Sequence, residues 1–258
     1  MHSHSNSITP ENHLGFPSPS ALRQNVEMTQ PSSDARWPKL LSLAVHEFRT
    51  PLTVVAGYIR MVLKERAGPL SEQQRKLLEE AEKSCGRLSA LVAEMSDLGN
   101  LEAGTAPFAQ VPVNLPGILA EVIGALPPMP DREVRVELHS ESGDASLLGD
   151  ATRLRTAFNA IVVCMRRELV TSDVLFVKHS VRTSNGSGTS IVAIGDADGV
   201  ARLEAPAATD LGVFDEWKGG CGLSLAIARR TFAGHGGAIW SPADGTKLSA
   251  LIHLPLQR

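Results

Sequence analysis

Leu41-Ser42-Leu43-Ala44-Val45-His46-Glu47-Phe48-Arg49-Thr50-Pro51-Leu52-Thr53-Val54-Val55-Ala56-Gly57-Tyr58-Ile59-Arg60-Met61-Val62 is the stretch from which the fold is read. Within it Leu41, Val45, Phe48, Leu52, Val55, Ile59 and Val62 recur at alternating steps of four and three, the apolar seam of a heptad helix. Arg66-Ala67-Gly68-Pro69 then breaks the helix. Ser71-Glu72-Gln73-Gln74 restarts it as a capping box, with Ser71 at the cap and Gln74 reaching back. The second helix carries Leu77, Ala81, Ser84, Leu88, Leu91, Met95 and Leu98 at the same steps, and Leu78, Cys85 and Val92 widen its face. One hairpin cannot bury two seams this long and wide. Two hairpins from two chains can, as an antiparallel four-helix bundle, so the pattern predicts a homodimer. The alternative is that the hairpin packs on its own C-terminal domain.

The rest of the composition narrows the choices. The chain has 258 residues, 43% hydrophobic, with 25 Lys and Arg against 28 Asp and Glu, a net charge of −3. That balance argues against a protein built to coat nucleic acid or an anionic membrane. Only 4% of residues are aromatic, too few for binding single strands by base stacking. No run approaches the roughly 18–20 apolar residues that cross a bilayer, and the N-terminus has no apolar signal core. Cys85, Cys164 and Cys221 are scattered and form no CxxC, which fits neither a disulfide framework nor a zinc site and suits a reducing cytoplasm. Residues 1–36 are rich in Ser, Pro, Asn, Gln and His without apolar period and read as a disordered leader. His2, His4 and His13 in it read as a polar tail, since no helix or cysteine fixes them for a metal.

Gly104, Pro107, Pro112 and Pro116 mark a junction, and the chain after it changes character. Helices are expected over 115–126, 151–169 and 223–233. Strands are expected over 134–138, 174–182, 189–194, 238–241 and 247–254. The second and third of these are joined at the hairpin signal Ser184-Asn185-Gly186-Ser187-Gly188. Strands and helices mix without strict alternation, which predicts an α+β sandwich of one sheet against helices.

The chemistry concentrates at Ala44-Val45-His46-Glu47-Phe48-Arg49-Thr50-Pro51. His46 directly follows a seam position, so its imidazole projects beside the core toward solvent, where a neutral ring is a nucleophile. Glu47 can accept the ring proton or orient the ring. Arg49 offers a fork for phosphate oxygens, and Thr50 a hydroxyl that positions water. Pro51 removes a helical hydrogen bond within an otherwise sound seam and should bend the helix.

His46-Glu47-Phe48-Arg49-Thr50-Pro51 resembles the H-box of sensor histidine kinases, and the hairpin resembles their dimerisation and phosphotransfer domain. The resemblance implies His46 as phosphoacceptor, Glu47 as general base and Thr50 as a contributor to phosphatase activity. Gly219-Gly220-Cys221-Gly222-Leu223-Ser224 is similar to the G2 box of the family's GHKL-type ATP-binding domain, with Ser224 where a glycine is usual. His235-Gly236-Gly237-Ala238-Ile239-Trp240 resembles its closing strand. Asp150 to Arg155 resembles the lead-in to its N-box helix, and Asp196-Ala197-Asp198-Gly199-Val200 its G1 box, whose aspartate bonds the adenine amine. Phe214 falls at the F-box. The implied nucleotide residues are Asn159, Asp196, Asp198, Gly199, Gly220, Gly222 and Leu223.

The departures fall on ATP chemistry. The N-box asparagine positions fall on Ala160 and Cys164, or, shifted by one, on Asn159 and Val163. Neither Cys164 nor Val163 suits Mg²⁺, which wants oxygen. Asp198 stands where the G1 box has its first glycine, and only Asp215, Glu216, Trp217 and Lys218 remain as a lid between Phe214 and Gly219. The expectation is a cytoplasmic two-component kinase in three parts. They are the leader, a hairpin over 37–104 forming a dimeric four-helix bundle, and an ATP-binding sandwich over 105–258. ATP and Mg²⁺ are its implied ligands, and a response-regulator receiver domain its partner. The alternative is a degenerate kinase acting as a phosphotransfer protein or phosphatase without its own ATP chemistry, and beyond that a dimeric scaffold. Outside the motifs, Lys178 and His179 read as a solvent-facing strand pair. Glu141, Asp144 and Asp150 read as solvated loop carboxylates, and His235 as a cation capping a helix end. Cys221, after two glycines at a helix start that can lower a thiol's pKa, reads as an idle thiol, with a redox role as the alternative, and Trp217 as a cover for a base or a helix contact.

Overall fold

Helix α1 (Trp37–Leu63) runs through Pro51, and helix α2 (Glu72–Glu102) returns beside it. This computed structural model describes residues 36–258 apart from 130–131, 142–144, 185–186, 205–210, 218–219, 244–248 and 257–258. The leader, with His2, His4 and His13, and Asp144 lie outside the described residues. The capping box forms: the Gln74 N–H donates to Ser71 Oγ at 3.2 Å and the Ser71 N–H to Gln74 Oε1 at 2.9 Å. Two helix-initiating amides are thereby satisfied where the helix starts.

Beyond Gly104 the chain forms β1 (Val111–Asn114), α3 (Leu115–Gly124), β2 (Arg135–Ser140), β3 (Ser146–Gly149), α4 (Ala151–Glu168), β4 (Val174–Ser184) and β5 (Ser187–Gly195). It continues through α5 (Ala197–Glu204), β6 (Leu211–Val213), α6 (Ser224–Gly234), β7 (Ala238–Pro242) and β8 (Ser249–Leu256). Six strands form one sheet in the order β2-β4-β5-β8-β7-β6, with only β2 and β4 parallel. β1 and β3 pair separately and antiparallel. The β4–β5 register closes with Ser184 opposite Ser187, the two-residue spacing the hairpin signal requires.

Alternation divides the sheet. Leu175, Val177, Val192, Ile194, Ile252 and Leu254 face α3, α4 and α6, where Leu119, Phe158, Ile161 and Phe232 are fully buried. Ile191, Ala193 and Leu251 face the other way and are covered by Val200 and Leu203 of α5. A helical hairpin followed by a mixed α/β sheet domain is therefore what the chain builds.

The hairpin meets this domain at one end. Leu41 and Leu98 form a buried cluster with Ala226 and Ile227 of α6, joined by Met95, Leu101 and Leu223. Farther along, the seam residues Phe48, Val55, Leu77, Leu88 and Leu91 are exposed. The hairpin thus packs on its own C-terminal domain over one turn or two; beyond that Val45 and Cys85 are buried and Leu52, Ile59, Val62 and Ala81 half-buried within the hairpin, while the five residues just named stay exposed.

Candidate functional site

His46 projects from α1 with a side chain 78% exposed, and its Nδ1 lies 3.5 Å from Glu47 Oε1. Arg49 and Thr50, three and four residues on, share its helix face and are exposed. Pro51 has no N–H to offer the Glu47 carbonyl, which leaves that acceptor open beside the histidine. The Thr53 hydroxyl donates to the Arg49 carbonyl at 2.8 Å, adding a side-chain tie across this turn. Leu41 packs against the backbone at Gly99, and Arg60 bonds Glu82, so His46 lies level with the turn of α2 around Met95.

A cavity of about 580 Å³ opens at that level between hairpin and sheet domain. Ala93, Glu94 and Asp97 of α2 form one wall, Asn159, Ala160, Val163 and Arg167 of α4 another, and Cys221, Ser224 and Ile227 the third. Its size suits a small-molecule ligand. The loop entering α6 holds Gly220 at φ +56° and Gly222 at φ +62°, a left-handed conformation costly for any residue with a Cβ. Leu223 caps α6 with no side-chain hydrogen bond, so the first amides of the helix stay available to an anion.

The structure gathers the expected nucleotide residues only in part. Asn159 is on the cavity wall, and Gly220, Gly222 and Leu223 flank Cys221 and Ser224 there. Asp196, Asp198 and Gly199 are not part of this wall. Asp196 is buried, with Oδ1 accepting the Gly199 N–H at 2.7 Å and Oδ2 accepting the Thr171 hydroxyl at 3.0 Å. Asp198 and Gly199 are wound into α5, whose apolar side packs on the far face of the sheet. Phe214 is buried in the main core. Cys164 is 2% exposed and also in the core, so it offers sulfur where the resemblance would place a magnesium-binding amide.

Sequence reasoning missed what joins the two parts. Arg153 holds Asp97 through Nη1 (3.1 and 3.2 Å) and Nη2 (3.1 Å), bonds the Pro107 carbonyl through Nε and lies over the Phe108 ring at 5.1 Å. Arg230 bridges Glu102 of the hairpin and buried Glu216, which also takes Arg229. Asp150 caps α4 through the Arg153 N–H and accepts the Ala109 N–H. Burial opposes its ionisation, but these N–H bonds and the Arg153 charge outweigh that and hold its carboxyl below the usual range. Arg153 and Asp97 stand 56 positions apart and Arg230 and Glu102 128 apart, so no local period marks the pairs that cross between the parts.

Two histidines are corrected. His235 does cap the end of α6, but not as a cation. It is buried, its Nδ1–H donates to the Thr231 carbonyl at 2.7 Å, and its Nε2 accepts the Asp150 N–H at 2.9 Å. That pairing requires the neutral ring, and burial pushes its pKa down. The tight fit explains two glycines: a Cβ at Gly149 would strike this imidazole, and one at Gly234 would strike Phe108. His179 is not solvent-facing either. It is 1% exposed between Ser140 and Ser190, at 2.9 and 2.7 Å, and burial likewise pushes its pKa down. Lys178, on the opposite face, pairs with Glu204. Trp217 is 72% exposed.

Residues 39–104 match the His Kinase A (phospho-acceptor) domain family. The chain is 27% identical over 226 residues to the sensor histidine kinase GacS of Pseudomonas protegens, covering 83% of this chain and 24% of that one. It is 26% identical over 147 residues to the cell-division control histidine kinase PdhS of Brucella ovis, covering 51% and 14%. It therefore spans about a quarter or less of the length of these curated relatives. The fold is similar to full-length ShkA solved in complex with AMPPNP, with a TM-score of 0.57 and 23% identity over 85% of this chain and 45% of that one. No helix among the described residues is long and apolar enough to cross a membrane. A hairpin that matches the phospho-acceptor domain family, its histidine exposed, joined to a sheet domain of the fold seen in ShkA, makes the chain similar to sensor histidine kinases over the lengths matched.

Proposed function

We propose that the chain is a two-component histidine kinase that takes the γ-phosphoryl group of ATP onto His46 and passes it to an aspartate of a response-regulator receiver domain. The observation that carries this is the shared cavity: hairpin residues at the level of His46 form one wall, and a glycine loop opening a helix forms another. In this reading residues 37–104 are the phosphotransfer hairpin and 105–258 the nucleotide domain. The bare seam at Phe48, Val55, Leu77, Leu88 and Leu91 belongs to a homodimeric four-helix bundle, working in the cytoplasm.

Glu47 beside Nδ1 favours the proton on that nitrogen. Nε2 then carries the lone pair toward solvent and is the attacking atom. Arg49 holds phosphate oxygens on the same helix face, and Thr50 positions the water that later removes the phosphoryl group. Gly220, Gly222 and the first amides of α6 hold the phosphate end of the nucleotide, with Arg167 as the cation on the wall. Mg²⁺ keeps several waters and needs few protein ligands, so the Asn159 amide oxygen fits as its single protein donor. When bound, Mg²⁺ supplies charge neutralisation across the β and γ phosphates. Asp196, already satisfied by Gly199 and Thr171, reaches an adenine amine only through rearrangement of that loop.

Titration calorimetry with ATP tests the donor half of the reading. Saturable heat that requires Mg²⁺ and is lost in Asn159→Ala supports it. No heat at millimolar ATP removes it.

A further inference from the structure

Two cysteines meet beside the cavity. Cys164, on α4, and Cys221, in the glycine loop, are neighbours although 57 positions apart in sequence: Cys221 packs against the core that holds Cys164, and after burial its thiol helps to push the Cys164 thiol up. Cys164 is 2% exposed in the main core, and Cys221 packs against that core while also lining the cavity. Both are thiols, as is Cys85, which is buried in the hairpin.

The surroundings give the two sulfurs different roles. Cys221 is the partly exposed one, reached from the cavity, and sits between two left-handed glycines. Cys164 is fixed on a helix and shielded. Burial pushes its thiol up, which keeps it protonated and inert toward outside oxidants. A disulfide needs the two Cβ atoms to approach to about 3.8 Å. Nothing lies within 4 Å of where a Cβ would stand at Gly220 or Gly222, so the backbone on either side of Cys221 has open space around it.

We propose that Cys164 and Cys221 are a redox modification site that takes a hydroperoxide as oxidant and closes the nucleotide cavity as a disulfide. The Cys221 thiolate attacks one peroxide oxygen and breaks the O–O bond, giving a sulfenic acid and, with one proton, water. The Cys164 sulfur then attacks the Cys221 sulfur, and the sulfenic hydroxyl leaves as a second water with the Cys164 proton. Two thiols are oxidised and one peroxide is reduced. The cross-link ties the glycine loop to α4, so the loop amides can no longer follow a phosphate group. Intracellular disulfides of this transient kind act as sensors rather than staples. The effect on the cavity rests on the nucleotide reading above; the cross-link does not.

The full chain is treated with hydrogen peroxide, alkylated and mapped by mass spectrometry, and binding of ATP with Mg²⁺ is measured before, after, and after a thiol reductant. The expected map joins the Cys164 and Cys221 peptides, with Cys85 alkylated once unfolded. Expected binding falls at least tenfold on oxidation and returns on reduction. In Cys164→Ala, oxidation stops at a Cys221 sulfenic acid trapped by dimedone. Cys221 carried to sulfinic acid without a cross-link in the wild type, or a cross-link through Cys85, overturns the proposal. So does a cross-linked protein that binds ATP as before. Failure of the reduced protein to bind ATP counts against the kinase reading instead, and the peptide map still decides the cross-link.

Discussion

Replacing Arg153 by alanine tests whether the hairpin is clamped to the sheet domain. The side chain is 19% exposed and its partner Asp97 is 36% exposed, so the pair is screened less than a surface ion pair. A forked, charge-assisted pair of this kind is worth about 1.5–2 kcal/mol after side-chain ordering is subtracted. The bond to the Pro107 carbonyl adds about 1 kcal/mol. The Phe108 ring adds about 0.5 kcal/mol. Arg153→Ala should therefore cost about 3 kcal/mol, and Asp97→Ala, which removes the pair alone, about 2 kcal/mol. In a chain of this size that lowers Tm by about 6–12 °C for the first and about 4–8 °C for the second. The assay is a double-mutant cycle followed by urea and thermal denaturation. The double variant should fall well short of the sum, with a coupling near 1.5 kcal/mol. Single effects that add to within about 0.3–0.5 kcal/mol would refute the clamp.

Other outcomes follow from the same geometry. His235 and His179 have lowered pKa values in the fold, so each contributes stability in full above the unfolded value of about 6.5 and loses it as pH falls below that value. Tm should therefore drop between pH 7.5 and 5.5, and His235→Leu should flatten that slope; an unchanged slope contradicts the neutral-ring pairing. Charging the bare seam by Leu88→Lys with Leu91→Lys should halve the mass seen by light scattering to about 27.5 kDa while far-ultraviolet helicity is retained. A wild type already at that mass removes the dimer. Gly222→Val, forced to φ +62°, should weaken ATP binding at least tenfold by calorimetry, and unaltered affinity would show that the loop does not hold phosphate.

What could be read from residues alone was local. The hairpin and its capping box announce themselves within one heptad period and one tetrapeptide. The Ser184–Ser187 turn likewise follows from Asn185-Gly186 between alternating runs. The missed elements lack such signals. Strands β1 and β3 are four residues each, and one contains Pro112, so neither shows a period. Helix α5 hides its two-residue apolar face, Val200 and Leu203, inside a stretch whose glycine and aspartates read as a nucleotide loop. At the site, the H-box side chains are exposed as expected because a seam position fixes which way their helix faces. The nucleotide residues are harder: whether Asp196 meets a ligand or its own loop depends on Thr171 and on where α5 packs, which are tertiary facts. The charge of His235 and the burial of His179 are tertiary facts of the same kind. A histidine's neighbours, not its sequence, decide whether it is charged.

The most direct measurement is transfer of labelled γ-phosphate from ATP to the purified chain, followed by tests of acid and base stability. The account predicts an acid-labile, base-stable label in the wild type, none in His46→Gln, and loss of the label onto a receiver domain when one is added. Label of that kind in His46→Gln equal to wild type, or none in the wild type while ATP binds, would contradict it.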